Sequence, residues 1–314
     1  VVSSKSDKIG VDNLSLFVQQ HATPSAFTSA PWVILTPIEQ RIKEKIESVG
    51  TPLKDWDIQI YRGVLTGCNE AFIIDTAKRD EILDNCQTED ERRRTEDLIR
   101  PILRGRDIKR YGYEDNGLYL INTHNGVKGK MPRIDINDYP AVKAHLDQNW
   151  DKISARADKG DTPYNLRNCA YLEDFDKPKV VYMEIQTDNP EKGYPFPCYS
   201  YDEASCVVLN TAYIMSSKSI DTKYILGVLN SRLGKFLTKL YVIQLQERQF
   251  RMLAQYVANF PIVIPSESQK DKMIELVQDV LDNHSKISGE RVDELTYELY
   301  RLSMDEIDFL NAEH

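Results

Sequence analysis

The stretch IYRGVLTGCNEAFIID, residues 60–75, marks the change of pattern that decides the fold class. Before it, Thr36 and Glu39 form a capping-box pattern at the start of an amphipathic helix that stops at Gly50. From Asp57 onward apolar residues alternate with polar ones, which indicates a strand. A glycine-rich turn follows, and residues 71–75 have the composition of a second strand. We therefore expect a hairpin or another strand pair here, directly after a helix.

The rest of the chain extends this mixture of helices and strands. Residues 78–99 are charged and favour helix, whereas residues 118–121, 180–183 and 207–209 are typical of strands. From Thr222 the pattern is mainly helical, and it is broken by a short strand bounded by prolines at residues 259–265. The predicted fold class is mixed α+β, an α/β recognition domain with a C-terminal helical tail. The expected division is a lead-in segment and linker helix over 1–56, a recognition domain over 57–265 and a helical tail over 266–314.

Composition sets limits on the environment of the chain. Its 314 residues are 41% hydrophobic and 28% charged, as in ordinary globular proteins. The five cysteines form no C-x-x-C pair, and no run of 18 apolar residues occurs, so we expect a reduced, cytoplasmic protein with no membrane partner. Since the chain begins at Val1 without a methionine, we expect it to be a piece of a longer protein or a processed product.

The net charge of −9 argues at first against a nucleic-acid partner, but the charge is unevenly distributed. Residues 267–314 hold 13 acidic and 5 basic side chains, a net charge of −8. Residues 100–133 hold eight basic and three acidic side chains, a net charge of +5. A basic strip beside an acidic tail is compatible with DNA binding.

The known catalytic signatures are missing from the sequence. It contains no G-x-G for a dinucleotide, no P-loop, no metal-ligand spacing of cysteine or histidine, and no nucleophile elbow. The run Asp188-Asn189-Pro190-Glu191 lacks the second proline and the aromatic residue of an amino-methyltransferase motif. We expect no catalytic, cofactor-binding or metal-binding residue in this chain. A stand-alone enzyme with an unrecognised site remains a minor alternative.

Two short runs carry the strongest functional signal. Residues 60–75 combine glycines with Arg62, Thr66 and Asn69, so that backbone and short polar groups can approach a polyanion. Residues 100–111 place five cations around Gly105. Each run could instead be an ordinary polar turn on the surface.

Taken together, these runs resemble the C-terminal target-recognition domain of TaqI-like adenine-N6 DNA methyltransferases, found in type IIG restriction-modification enzymes. The resemblance extends from about residue 57 to the end of the chain. It continues through Lys177-Pro178-Lys179-Val180, the run 226–231 (LGVLNS), Phe260-Pro261-Ile262 and the terminal run 292–300 (VDELTYELY), in the order of the family.

The resemblance implies that this chain recognises double-stranded DNA and does not modify it. The parent protein would then carry the methyltransferase domain that works with this chain. Its cofactor would be S-adenosylmethionine, with a divalent metal if the parent also cleaves DNA.

The candidate DNA contacts fall in four segments of the chain. Arginine can contact guanine, and asparagine can contact adenine, through paired hydrogen bonds. We expect Asp107 to order its neighbouring arginines and not to touch DNA, because phosphates repel a carboxylate. The candidates are Arg62, Thr66 and Asn69; Arg104, Arg106, Lys109 and Arg110; Lys128, Lys130 and Arg133; and Arg156, Lys159, Arg167 and Asn168.

The main alternative is a protein-interaction module. In this interpretation, the acidic helices after residue 266 dock a catalytic or partner subunit. An exposed apolar patch along Met273, Ile274, Val277 and Val280 would favour it, whereas a continuous basic cleft would favour DNA.

Overall fold

The computed structural model describes residues 2–3, 23–24, 35–246 and 248–312, and it confirms a mixed α+β fold. The predicted irregular lead-in over the first 35 residues lies largely outside the described residues. The strands are β1 Val2–Ser3, β2 Thr23–Pro24, β3 Gly50–Pro52, β4 Ile58–Arg62, β5 Ile73–Asp75, β6 Ile99–Leu103, β7 Ile108–Lys109, β8 Gly112–Tyr113, β9 Leu118–Ile121, β10 Lys179–Met183, β11 Ile185–Thr187, β12 Tyr199–Asp202, β13 Val207–Val208, β14 Ala212–Ser217, β15 Gln249–Arg251 and β16 Pro261–Val263. The α-helices are α1 Pro37–Val49, α2 Asn69–Phe72, α3 Thr76–Asp84, α4 Glu89–Leu98, α5 Pro140–Asp147, α6 Trp150–Ala155, α7 Thr222–Asn230, α8 Arg232–Tyr241, α9 Ala254–Val257, α10 Glu267–Asn283, α11 Lys286–Leu299 and α12 Met304–Ala312.

A four-stranded antiparallel sheet forms the centre of the molecule, in the order β12-β10-β14-β4. Successive side chains of β10 point to opposite faces, as the period of a strand requires. Val180 and Tyr182 enter one hydrophobic core, and Val181 enters the other. Both faces of this central sheet are therefore covered.

The first core consists mainly of helices. Ile42 and Ile46 of α1 pack there together with α7, α8 and the C-terminal helices. At Gly227 in α7, an added Cβ would lie 2.5 Å from the sulfur of Met273, so glycine lets α10 approach closely. Segments from the predicted lead-in, recognition domain and tail all contribute to this one core.

The second core lies on the other face of the central sheet. It is closed by a second sheet in the order β13-β6-β9-β5, in which β13 and β6 are parallel and the other pairs are antiparallel. Helices α3 to α6 contribute buried residues to the same core, among them Ile82, Leu98, Leu146 and Ile153.

The expected hairpin or strand pair over residues 57–75 is wrong. Strand β4 pairs with β14 in the central sheet, whereas β5 pairs with β9 in the second sheet. Residues 69–72 form a helical turn, so the second strand begins only at Ile73. The segment therefore joins the two sheets. The helix predicted after Thr36 is confirmed, including the capping box with Glu39.

A buried ion pair closes one end of the central sheet. Lys179 at the start of β10 lies opposite Asp202 at the end of β12, and the two side chains form an ion pair at complete burial. The ammonium also donates to the carbonyl oxygen of Phe175 at 2.6 Å. The carboxylate accepts hydrogen bonds from the Tyr113 hydroxyl at 3.0 Å and from the Cys206 backbone N–H at 3.0 Å. The carboxylate therefore ties together three separate segments of the chain, those around residues 113, 179 and 202–206.

Removal of this carboxylate should destabilise the protein strongly. Asp202→Ala leaves the Lys179 ammonium buried without a counter-ion, which typically costs about 3–5 kcal/mol. Urea titration should show this loss in the free energy of unfolding. As a control, Glu81→Ala removes an exposed pair with Lys78 and should cost less than about 1 kcal/mol. Equal losses in the two variants would contradict the assigned role of the pair.

Candidate nucleic-acid interface

The segment Leu209-Asn210-Thr211 supports both of the turns that the sequence singles out. The backbone N–H of Leu209 donates to Leu103, and that of Asn210 donates to Val64, at 2.8 and 2.9 Å. A Cβ at Gly63 would lie 2.3 Å from the carbonyl oxygen of Leu209, and one at Gly105 would lie 2.8 Å from that of Thr211. Glycine is therefore required at both turns because each packs directly against this shared backbone.

The turn of residues 104–107 is held by an internal ion pair. The Asp107 carboxylate accepts hydrogen bonds from the Arg104 backbone N–H at 2.8 Å and from its guanidinium at 2.8 and 2.9 Å. Burial alone would raise the pKa of Asp107, but these hydrogen bonds from Arg104 lower the pKa below its usual value. The predicted ordering role of Asp107 agrees with this geometry. The Arg104 guanidinium is therefore bound to Asp107 within the turn.

The other cations of this run differ in how they are held. Arg106 is exposed, and its guanidinium has no hydrogen-bond or ion-pair partner among the described residues. Lys109 donates to the carbonyl oxygen of Arg106 at 3.1 Å and lies 3.5 Å from Glu114. Arg110 donates to the Asn230 carbonyl at the end of α7. Among the cations of residues 104–110, Arg106 is therefore the most available for a phosphate or a base edge.

The turn after β4 is rigid and polar. Arg62 donates to the carbonyl oxygen of Asn210 at 2.8 Å and forms an ion pair with Glu184 at 2.6 Å. The Thr66 hydroxyl is fully buried and donates to Asn69 Oδ1 at 2.6 Å. Thr66 therefore orients Asn69, whose side chain is exposed.

Arg156 joins this turn to the loop of residues 156–168. Its buried guanidinium donates to the carbonyl oxygens of Thr66, Asp158, Pro163 and Asn165. It also lies over the Phe72 ring, 4.4 Å from the centroid. The structure therefore places Arg156 as a support between two loops, with its guanidinium directed into the protein.

The loop of residues 125–133 is joined to the same unit. The Asn125 amide donates to Asp161 at 3.0 Å and to Asn168 at 2.5 Å. Gly126 and Gly129 have positive φ angles of 76° and 78°, which form the tight turn at the tip of this loop.

The charged side chains of these two loops are exposed. Lys128 and Arg133 have no hydrogen-bond or ion-pair partner in the described part of the chain. Lys130 lies 3.9 Å from Glu173, Lys159 donates to the Ser154 carbonyl at 2.9 Å, and Arg167 lies 3.4 Å from Asp158. Except for Arg156, the cations predicted in these loops therefore point outward.

The turn after β4 and the end of the 156–168 loop border a cleft of about 280 Å³. Arg62, Arg167 and Asn168 lie on it, whereas none of the cations of the 104–110 run does. Asn122, Asn210 and Glu184 were not among the residues predicted from the sequence. The cleft is lined by Arg62, Gly63, Val64, Leu65, Asn122, His124, Leu166, Arg167, Asn168, Cys169, Tyr171 and Leu172.

The described residues contain no group of three histidine, cysteine or acidic side chains placed to hold a metal ion. Within the same residues, no helix is long and apolar enough to cross a membrane.

Comparison with solved structures shows the fold of restriction-modification enzymes. The type IIL restriction-modification enzyme MmeI, solved in complex with DNA, superposes with a TM-score of 0.58 and 15% identity over 83% of this chain and 36% of that enzyme. The type IIG restriction endonuclease BpuSI gives a TM-score of 0.50 and 14% identity over 84% of this chain and 33% of that enzyme. These likenesses show the fold class of the chain.

Residues 100–262 match the TaqI-like C-terminal specificity domain, and the chain belongs to this family. The type II methyltransferase M.BanIII of Aneurinibacillus aneurinilyticus is 22% identical over 173 residues, which are 52% of this chain and 28% of that protein. The chain therefore spans about a third of these relatives, or less.

The ion pair of the 104–107 turn should give stability that depends on pH. The lowered pKa of Asp107 means that its stabilisation is complete above the unfolded value of 3.8 and is lost as the pH falls through the folded value. Asp107→Asn should cost about 1.5–3 kcal/mol at pH 7. Urea titrations over a pH series should show this difference shrinking below about pH 4. A difference independent of pH would contradict the ion pair.

Proposed function

We propose that this chain is the DNA-specificity domain of a restriction-modification adenine-N6 methyltransferase. It would hold double-stranded DNA while a methyltransferase domain of the parent protein transfers a methyl group from S-adenosylmethionine. A divalent metal would be needed as well if the parent cleaves DNA. Membership of the specificity-domain family and the likeness to MmeI, which was solved with DNA, support this proposal.

One observation in the structure supports it most directly. Three loops distant in sequence are locked together by Arg156 and Asn125, and they present exposed cations on one connected unit. Cations on an ordered surface can neutralise phosphates in fixed positions, and this fixes the register of a duplex. Neighbouring amides such as Asn69 and Asn168 can then contact base edges.

The exposed apolar patch on α10 that would favour a protein-docking module is not found. Met273 and Val277 are fully buried, Val280 is buried, and Ile274 packs against the same core. The apolar stripe of α10 is thus packed inside the protein and forms no exposed patch. A role of the acidic helices in contacting the parent's own methyltransferase domain remains part of the proposal.

Charge reversal at Arg106 should weaken DNA binding through the loss of a phosphate contact. With a mixed-sequence duplex, the plot of log affinity against log salt for Arg106→Glu should be shallower by about 1 than for the wild type. Fluorescence anisotropy over a salt series measures this slope. Lys272→Glu, which reverses an exposed cation on α10, is the matched control and should leave the slope unchanged. Equal effects of the two variants would contradict the assignment of the surface.

The adenine-N6 part of the proposal is tested on the parent protein. DNA incubated with the parent and S-adenosylmethionine is digested to nucleosides, which are then separated by mass spectrometry. We expect N6-methyladenine, and we expect its yield to fall with Arg106→Glu because DNA binding is weaker. Formation of N4-methylcytosine instead would refute the adenine assignment while leaving DNA recognition in place.

A further inference from the structure

A buried carboxylate lies where the central sheet meets the small sheet of β11 and β15. Glu184 is the residue between β10 and β11, at which the chain passes from one sheet to the other. Its backbone N–H donates to the carbonyl oxygen of Thr211 at 2.9 Å, and its own carbonyl oxygen accepts from the backbone N–H of Met252 at 2.8 Å. The residue is only 8% exposed. The backbone of Glu184 is therefore fixed between two other segments of the chain.

Two arginines from different strands share this carboxylate. Arg62 at the end of β4 donates to Oε2 of Glu184 at 2.6 Å, and Arg251 at the end of β15 donates to Oε1 from Nε and Nη2 at 3.1 and 3.0 Å. The Nε–H of Arg62 is held as well, by the carbonyl oxygen of Asn210 at 2.8 Å. Because both side chains are bound in this way, their guanidinium groups are held close together in defined orientations.

Both guanidinium groups keep donors that can reach a ligand. Within the described residues, Nη1 of Arg62 and Nη1 of Arg251 have no hydrogen-bond or ion-pair partner. The side chains of these two arginines are 50% and 46% exposed, whereas that of Glu184 is 11% exposed. An anion that approaches from solvent therefore meets the arginines before it meets the carboxylate.

The charges of this cluster are not balanced within the chain. An ion pair is neutral with a single cation, as the buried pair of Lys179 and Asp202 shows. Here two guanidinium groups share one carboxylate, which leaves a net charge of +1 and places like charges close together. One further anion of charge −1 would balance the cluster. A DNA phosphodiester carries this charge on two unesterified oxygens, which arginine binds through charge-assisted hydrogen bonds.

We propose that Arg62 and Arg251 together bind one backbone phosphate of duplex DNA, and that Glu184 is the residue that positions them. Each arginine donates from Nη1 to one of the two unesterified phosphate oxygens. The inference rests on the proposed function, since the phosphate belongs to bound DNA. It extends the interface from the turn after β4 to the small sheet, because Arg251 lies outside the four segments in which the sequence predicted DNA contacts.

The first test measures the affinity for a mixed-sequence duplex over a salt series by fluorescence anisotropy. Arg251→Gln leaves Arg62 balanced by Glu184, so the phosphate is no longer neutralised. We expect the plot of log affinity against log salt to become shallower by about 1. Arg41→Gln is the matched control, because Arg41 is also an exposed arginine paired with a carboxylate, that of Asp305 in α12. It should leave the slope unchanged.

The sharing of one phosphate is tested by combining substitutions. Arg62→Gln and the double variant Arg62→Gln/Arg251→Gln should each make the slope shallower by about 1, because the same phosphate contact is lost in every case. A change of about 2 in the double variant would assign the arginines to separate phosphates and overturn the shared site.

The positioning role of Glu184 predicts a result opposite in sign to a simple charge effect. Glu184→Gln removes a negative charge near the phosphate, which by itself would tighten binding. If Glu184 positions both arginines, the variant should instead bind the duplex about tenfold more weakly. Tighter binding would overturn the positioning role. Circular dichroism checks that this variant is folded, and Arg251→Gln, at an exposed side chain, tests the site if it is not.

The two proposals fail in different ways. A slope that is unchanged in Arg251→Gln and shallower in Arg106→Glu would overturn the phosphate site and leave DNA recognition standing. Absence of duplex binding by the wild type would overturn DNA recognition, and the phosphate site with it.

Discussion

The central sheet is covered on both faces, and this constraint governs the rest of the structure. A polar group at its end cannot be hydrated, so it must be paired within the protein. Lys179 and Asp202 meet this requirement with an ion pair and further hydrogen bonds to Phe175, Tyr113 and Cys206. Such a pair adds little net stability compared with apolar residues, but it is strongly destabilising when one partner is lost. It therefore fixes which segments must meet at this end of the sheet.

The candidate interface is built on the same sheet through one short segment. Residues 209–211 lead from β13 into β14 and support the turns at Gly63 and Gly105 from their backbone. Arg156 then joins the turn that contains Gly63 to a loop about ninety residues further along the chain, because its guanidinium donates to the Thr66 carbonyl oxygen. The side chains that hold the loops in place are thus different from the exposed side chains that could contact DNA. Outer residues such as Arg106 or Lys128 could therefore differ without disturbing the scaffold.

The sequence predicted those elements whose causes are local. The helix after Thr36 depends on its own capping box, and the C-terminal helices depend on their apolar stripes. The helical turn at residues 69–72 was missed; Phe72 in it packs under the guanidinium of Arg156, a residue far away in the sequence. Likewise, the basic residues of the candidate site could be located, but their roles could not be assigned. Whether an arginine faces solvent or a carbonyl oxygen is decided by distant parts of the chain.

The net charge of −9 does not oppose a polyanionic partner once the fold is known. The acidic helices α10 to α12 pack in the core on one face of the central sheet, whereas Val64 of the turn after β4 and Leu166 of the 156–168 loop belong to the core on the other. Packed layers are spaced about 10 Å apart, and the central sheet lies between the two cores. Interactions between exposed charges are screened over about 8 Å at physiological ionic strength. A duplex would therefore be governed by the local cations and not by the tail.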